Sequence, residues 1–117
     1  MLSIGTATRV YLVLGATDMR KGRDGLHGLV AGHLKEDPLS GHLFAFANRS
    51  RDRIKVLYWD GSGLWVCSKR LEKGRFSWPE KSEADGKVTL SSAEWSMLIG
   101  GIDMRASRRK SWWRKNE

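Results

Sequence analysis

Alternation of apolar and polar positions marks out most of the chain. Residues 9–15 (RVYLVLG) set Val10, Leu12 and Leu14 on one face and Tyr11 and Val13 on the other. A strand that is apolar on both faces is one covered on both sides, and Gly15 closes it. From Asp24 the period changes. Leu26, Leu29, Val30, His33 and Leu34 recur at three and four, the spacing of an amphipathic helix. Asp24 suits its N-cap, and Asp37-Pro38 ends it. Gly25, Gly28 and Gly32 each weaken such a helix by about 1 kcal/mol against Ala. That cost predicts a sheet packed closely on the glycine side, and His33, on the apolar stripe, reads as a core histidine.

Three strand-like runs follow: His42–Asn48, Arg53–Asp60 and Leu64–Leu71. Short links, Arg49–Asp52 and Asp60-Gly61-Ser62-Gly63, make them antiparallel neighbours. In the second run Ile54, Val56 and Tyr58 face one way and Arg53, Lys55, Leu57 and Trp59 the other. Phe76-Ser77-Trp78-Pro79 extends the sheet or caps its edge, where proline is tolerated. After a polar excursion over Glu80–Gly86, Lys87–Leu90 forms a short strand. Ser91-Ser92-Ala93-Glu94 is a capping box that opens a helix through Trp95, Leu98, Ile99 and Ile102, ended by Gly100-Gly101. The elements predict an α+β fold: a mainly antiparallel sheet, a meander, packed against two short helices. They span a single domain over residues 1–104, followed by a basic, Trp-containing C-terminal tail, 105–117.

Composition changes this picture mainly through charge. The chain has 117 residues with 21 Lys+Arg against 13 Asp+Glu, a net charge of +8. Residues 104–117 hold six cations and one carboxylate, so +5 of that total falls in the tail and +3 in the other 103 residues. An excess of this kind points to a polyanion or an acidic partner. One cysteine, Cys67, excludes an internal disulfide and a multi-cysteine zinc site, and suits a reducing, cytoplasmic setting. Lying mid-strand, it reads as a small buried hydrophobe. No apolar run approaches the roughly 18 residues of a membrane helix, and no membrane association is expected.

The cations cluster. Arg20 and Lys21 lie in a turn beside Arg23; Arg49, Arg51, Arg53 and Lys55 surround Asp52; Lys69, Arg70, Lys73 and Arg75 surround Glu72. Each is a candidate set of phosphate contacts, against the plainer reading of a solvated surface with local ion pairs. In the tail Arg108, Arg109, Lys110 and Arg114 enclose Trp112 and Trp113, a mixture suited to base stacking beside phosphate pairing. Because the third strand returns toward the Arg49–Arg53 turn, the second and third clusters are expected to merge into one basic edge. Asp18, Asp24, Asp52, Asp60 and Asp103 each suit a turn, a cap or an ion pair, and no metal-binding, P-loop or hydrolase motif occurs. No catalytic residue, metal ligand or cofactor is expected.

Five blocks in order carry a resemblance: Thr17-Asp18-Met19-Arg20-Lys21-Gly22 with Asp24-Gly25-Leu26; Asp37-Pro38-Leu39-Ser40-Gly41-His42-Leu43-Phe44-Ala45-Phe46; Asp52 through Gly61 (DRIKVLYWDG); Lys69 through Pro79 (KRLEKGRFSWP); and Gly101-Ile102-Asp103. From about Arg9 to Asp103 the chain resembles the TnpB accessory protein of insertion-sequence 66 transposable elements. This is not the RNA-guided nuclease that shares the TnpB name. Cys67-Ser68 and Met104 depart from the pattern, where bulkier or aromatic residues are usual. The resemblance implies a bacterial mobile element and a part in transposition, with strand transfer left to a separate transposase of the DDE type. The expectation is a non-catalytic accessory protein that contacts DNA through the basic edge and tail, with the transposase as a second partner. The alternative is an adaptor that docks the transposase without touching DNA.

Overall fold

The computed structural model describes residues 8–79 and 86–100. Five strands, β1 (Val10–Ala16), β2 (Leu43–Ala47), β3 (Arg53–Trp59), β4 (Leu64–Arg70) and β5 (Lys87–Leu90), form one sheet ordered β4-β3-β2-β1-β5. Strands β2, β3 and β4 are the expected antiparallel run. The pure meander is corrected: β1 pairs β2 in parallel, and β5 closes the other edge antiparallel to β1, so the sheet is mixed. The reason lies in the connection. A helix stands between β1 and β2, and a crossover of that kind delivers a parallel neighbour where a tight turn cannot.

Both faces of the sheet are covered. On one face Tyr11, Val13, Phe44, Phe46 and Leu57 pack against Leu26, Val30 and Leu34. Leu26 belongs to α1 (Arg23–Gly28), Val30 to the π-helical turn Leu29–His33 that continues it, and Leu34 is the C-cap of that turn. On the other face Val10, Leu12, Ile54 and Val56 meet Phe76, Trp78, Trp95 and Leu98. Trp95 and Leu98 come from α2 (Ser92–Ile99), which opens with the predicted capping box, Ser91 and Glu94 exchanging both bonds. The two apolar faces of β1 thus have the two covers that its sequence called for.

Five expectations about local structure change. The N-cap of α1 is Gly22, without a side-chain cap bond, and Asp24 sits exposed in the first turn beside Arg23. Gly28 and Gly32 face open space rather than the sheet, and His33 is exposed. The turn widens at this point: Leu34 N donates to Leu29 O at 3.0 Å, which rotates the stripe so that Leu34 stays in the core and His33 leaves it. Phe76-Ser77-Trp78 is neither strand nor edge cap but a buried irregular segment. Its anchor is Trp78 Nε1, which donates to Val13 O at 3.0 Å. Between Leu12 and Ala16 the β1–β2 register shifts, with Gly15 at φ +82°, and the buried indole satisfies a carbonyl in that irregular stretch. Cys67 is only half-buried. Gly100 is the C-cap of α2, at the expected Gly100-Gly101 stop; Gly101, Ile102, the turn at Asp85 and the whole tail lie outside the described residues.

Candidate nucleic-acid interface

The β2–β3 turn is organised by Asn48. Its Oδ1 accepts from the Asp52 and Arg53 amides, both at 3.1 Å, and its Nδ2 donates to Asp52 Oδ1 at 2.7 Å. The one carboxylate among four neighbouring cations is therefore held by an amide and makes no ion pair with a described arginine. Arg51 takes φ +63° at the turn tip, its carbonyl accepts from Phe76 N at 2.7 Å, and its guanidinium donates to Trp78 O at 3.1 Å. It clamps the buried 76–78 segment to the turn.

The single basic ridge expected from sequence divides in two, and the pleat is the cause. Arg53 lies directly opposite Arg70, Ile54 opposite Lys69 and Lys55 opposite Ser68. Leu71 N donates to Asp52 O and Asp60 N to Gly63 O. By alternation Arg53 and Arg70 are a non-hydrogen-bonded pair, the close kind, with Cα atoms about 4.5 Å apart. Both are exposed and on the α1 face. Lys69 points to the α2 face, where its Nζ donates to Ile99 O at 2.7 Å. There it borders an open cavity of about 640 Å³ between α2 and the sheet, floored by Ile54, Val56 and Cys67.

One contact invisible in sequence joins the first cluster to the second. Lys55 Nζ donates to Lys21 O at 2.9 Å, drawing the 18–21 turn against β3. Within that turn Arg20 is already engaged: its Nη2 and Nε reach the Asp18 carboxylate at 2.7–3.2 Å. The Arg20 guanidinium and amide hold the Asp18 carboxyl well below the usual carboxylate range. The α1 face so gathers Arg53, Arg70, Lys55 and Lys21, with Arg20 neutralised at its margin. Arg49, Lys73 and Arg75 are exposed nearby in sequence, without an ion pair to any described carboxylate. Arg108, Arg109, Lys110, Trp112, Trp113 and Arg114 lie outside the described residues.

Asp60 is committed to local structure, whereas Glu72 is exposed and forms no ion pair with a described cation. Asp60 Oδ1 accepts from the Ser62 and Gly63 amides and its Oδ2 from Trp65 Nε1 at 2.7 Å. Among the described residues no group of three His, Cys, Asp or Glu is placed to hold a metal ion. No described helix is long and apolar enough to cross a membrane.

Comparison with known proteins decides the family. Residues 8–109 match the model of the IS66 Orf2-like proteins. The chain belongs to that family. It is 44% identical over 105 residues to the uncharacterized protein y4hO of Sinorhizobium fredii (strain NBRC 101917 / NGR234), covering 90% of each chain. To the uncharacterized protein y4jC of the same strain it is 36% identical over 110 residues, covering 94% of this chain and 92% of the relative. No solved structure matches. Membership makes this a transposition-associated accessory protein of the insertion-sequence 66 type.

Proposed function

We propose that this IS66 Orf2-like protein contacts DNA through the α1 face of its β3–β4 hairpin, working beside a transposase that carries the chemistry. The supporting observation is the opposed pair Arg53 and Arg70. Like charges directly across a ladder are unfavourable. Here the acid adjacent to Arg53 in sequence, Asp52, is held by Asn48 instead of relieving them. A phosphate between the two guanidinia turns that repulsion into two charge-assisted contacts. Lys21, Arg49 and Lys55 extend the row along the strand ends, the tail's cations add contacts of the same kind, and its tryptophans suit base stacking. Backbone contacts of this sort position a protein without reading sequence. The protein acts where it is made, in the bacterial cytoplasm, on its own element's DNA.

The test is a salt titration of binding to element-end DNA and to a scrambled duplex, with and without transposase. The five contacts of the folded body give a slope of log K against log salt of about −4.5. Binding to neither duplex, together with a transposase complex that survives nuclease treatment, establishes the adaptor role instead.

A further inference from the structure

The two edges of the sheet are built differently. The β5 edge is four residues long. The β4 edge runs for seven, matches β3 residue for residue without a bulge, lacks proline, and has no strand on its outer side among the described residues. The bonds at Leu71 and Gly63 set the phase of the ladder, so by alternation residues 65, 67 and 69 turn their backbone groups toward β3. Leu64, Val66, Ser68 and Arg70 therefore turn their amides and carbonyls outward. Trp65, beside them, is 52% exposed.

We propose that β4 pairs antiparallel with β4 of a second copy of this chain, about a two-fold axis at Cys67, joining the two sheets edge to edge. The strand reads Leu-Trp-Val, Cys, Ser-Lys-Arg, apolar in its first half and basic in its last. Centred on Cys67, Leu64 meets the partner's Arg70, Trp65 the partner's Lys69, and Val66 the partner's Ser68. Each cation lies against an apolar or aromatic side chain, and Lys69 over an indole gains a cation–π contact. The outward backbone groups of residues 64, 66, 68 and 70 are all consumed, because 66 with 68 and 64 with 70 become hydrogen-bonded pairs. Parallel pairing sets Lys69 against the partner's Lys69, and so does an antiparallel register centred there. Registers centred on Val66 or Ser68 lose part of the seven-residue overlap. Charges on an edge usually deter association. Confined to one half of β4, they deter the wrong registers and leave this one open.

The dimer is independent of DNA contact but has a consequence for it. An axis normal to the sheet keeps both α1 faces on one side. The two Arg53–Arg70 pairs then share a surface, with the Arg70 residues about 20 Å apart along the strands.

The experiment uses the full chain, treated with nuclease so that no polyanion bridges copies. Sedimentation velocity over a concentration series reads the oligomer, and mild copper–phenanthroline oxidation reads the register. Cys67 is the one cysteine in the chain. A non-hydrogen-bonded pair at about 4.5 Å lies within disulfide range, so a disulfide-linked dimer reports this alignment. Expected are a concentration-dependent dimer and rapid cross-linking. Ser68→Pro, which removes an outward amide that the monomer does not use, should weaken self-association roughly tenfold with circular dichroism unchanged. Trp65→Lys should weaken it through repulsion by Lys69, and adding Lys69→Glu should restore it. A monomer at every concentration overturns the proposal. So does a dimer whose Cys67 reacts with maleimide yet never cross-links, or one that ignores both substitutions.

Discussion

The β3–β4 hairpin ends in opposite ways. At its turn, Asp60 spends its carboxylate on the Ser62 and Gly63 amides and the Trp65 indole, so charge and donors close on one another. At the far end, the equivalent acid, Asp52, is occupied by Asn48, and Arg53 and Arg70 face each other. One end is locally satisfied, its carboxylate already paired with the turn amides and the indole N–H. The other keeps cations apart from the carboxylate that would neutralise them. The lesson is that the count of charged residues near a turn says little; the partner each carboxylate has already taken decides whether a basic cluster is available. Substitutions at four positions separate what holds the open end in shape from what makes it basic.

The largest effect is expected at Trp78, which supports the open end from beneath. Trp78→Ala removes a buried indole and leaves Val13 O without its donor, at a cost of about 3–5 kcal/mol. Trp78→Phe keeps most of the volume and loses the bond, about 1–3 kcal/mol. Urea denaturation measures both, and a Trp78→Phe loss near zero would show that the Val13 bond contributes nothing. Arg51 comes next. Its guanidinium bond to Trp78 O and its positive φ act in opposite directions. Arg51→Ala should cost about 1–2 kcal/mol. Arg51→Gly should cost about 1 kcal/mol less than Arg51→Ala, because glycine takes the left-handed conformation without strain. The reverse order would place the strain elsewhere.

Arg51 also shows where sequence reading stops. Arg49, Arg51, Arg53 and Lys55 alternate like one row on one face, and a period of two is what a strand pattern reports. The left-handed turn residue breaks the row, and nothing local announces it, since arginine has no preference for that region. Strands, the Asp60 turn and the Ser91 capping box were legible because each depends on residues within a few positions of one another. The parallel β1–β2 pairing was half legible: a strand apolar on both faces followed by a helix already implies a crossover. The Trp78–Val13 bond spans 65 residues and has no signature in the chain. The division of Lys69 from Arg70 was legible in the pleat alone, since adjacent residues of a strand point to opposite faces. The merged ridge neglected that alternation.

Arg53 and Arg70 should behave unlike Arg51. Arg53→Ala and Arg70→Ala are each expected to leave unfolding free energy within about 0.5 kcal/mol, or slightly raised as repulsion is relieved. DNA affinity at 0.1 M salt should fall about tenfold for each, and the salt slope should flatten by about 0.9. Lys69→Ala, on the opposite face with its ammonium on Ile99 O, should change affinity much less. Fluorescence anisotropy on a labelled duplex makes the comparison. Equal losses for Lys69 and Arg53 would refute a one-sided interface.

The smallest effect belongs to the closed end and is read by pH. Hydrogen bonds from the Ser62 amide, the Trp65 indole and the Gly63 amide lower the Asp60 carboxyl to about 2. A carboxyl lower in the folded chain than in the unfolded one stabilises the fold above the ordinary carboxylate range. That contribution fades as pH falls from about 4 through the folded value. The Trp65 indole N–H resonance should therefore titrate with a midpoint near 2, not near 4. Asp60→Asn retains an oxygen for the two amides but presents a donor to the indole, so the turn should persist while the Trp65 resonance shifts and loses its acid titration. A midpoint near 4 in the unsubstituted protein would mean that the indole and amides do not hold the carboxylate. The contrast between a closed and an open end of the hairpin would then rest on the arginines alone.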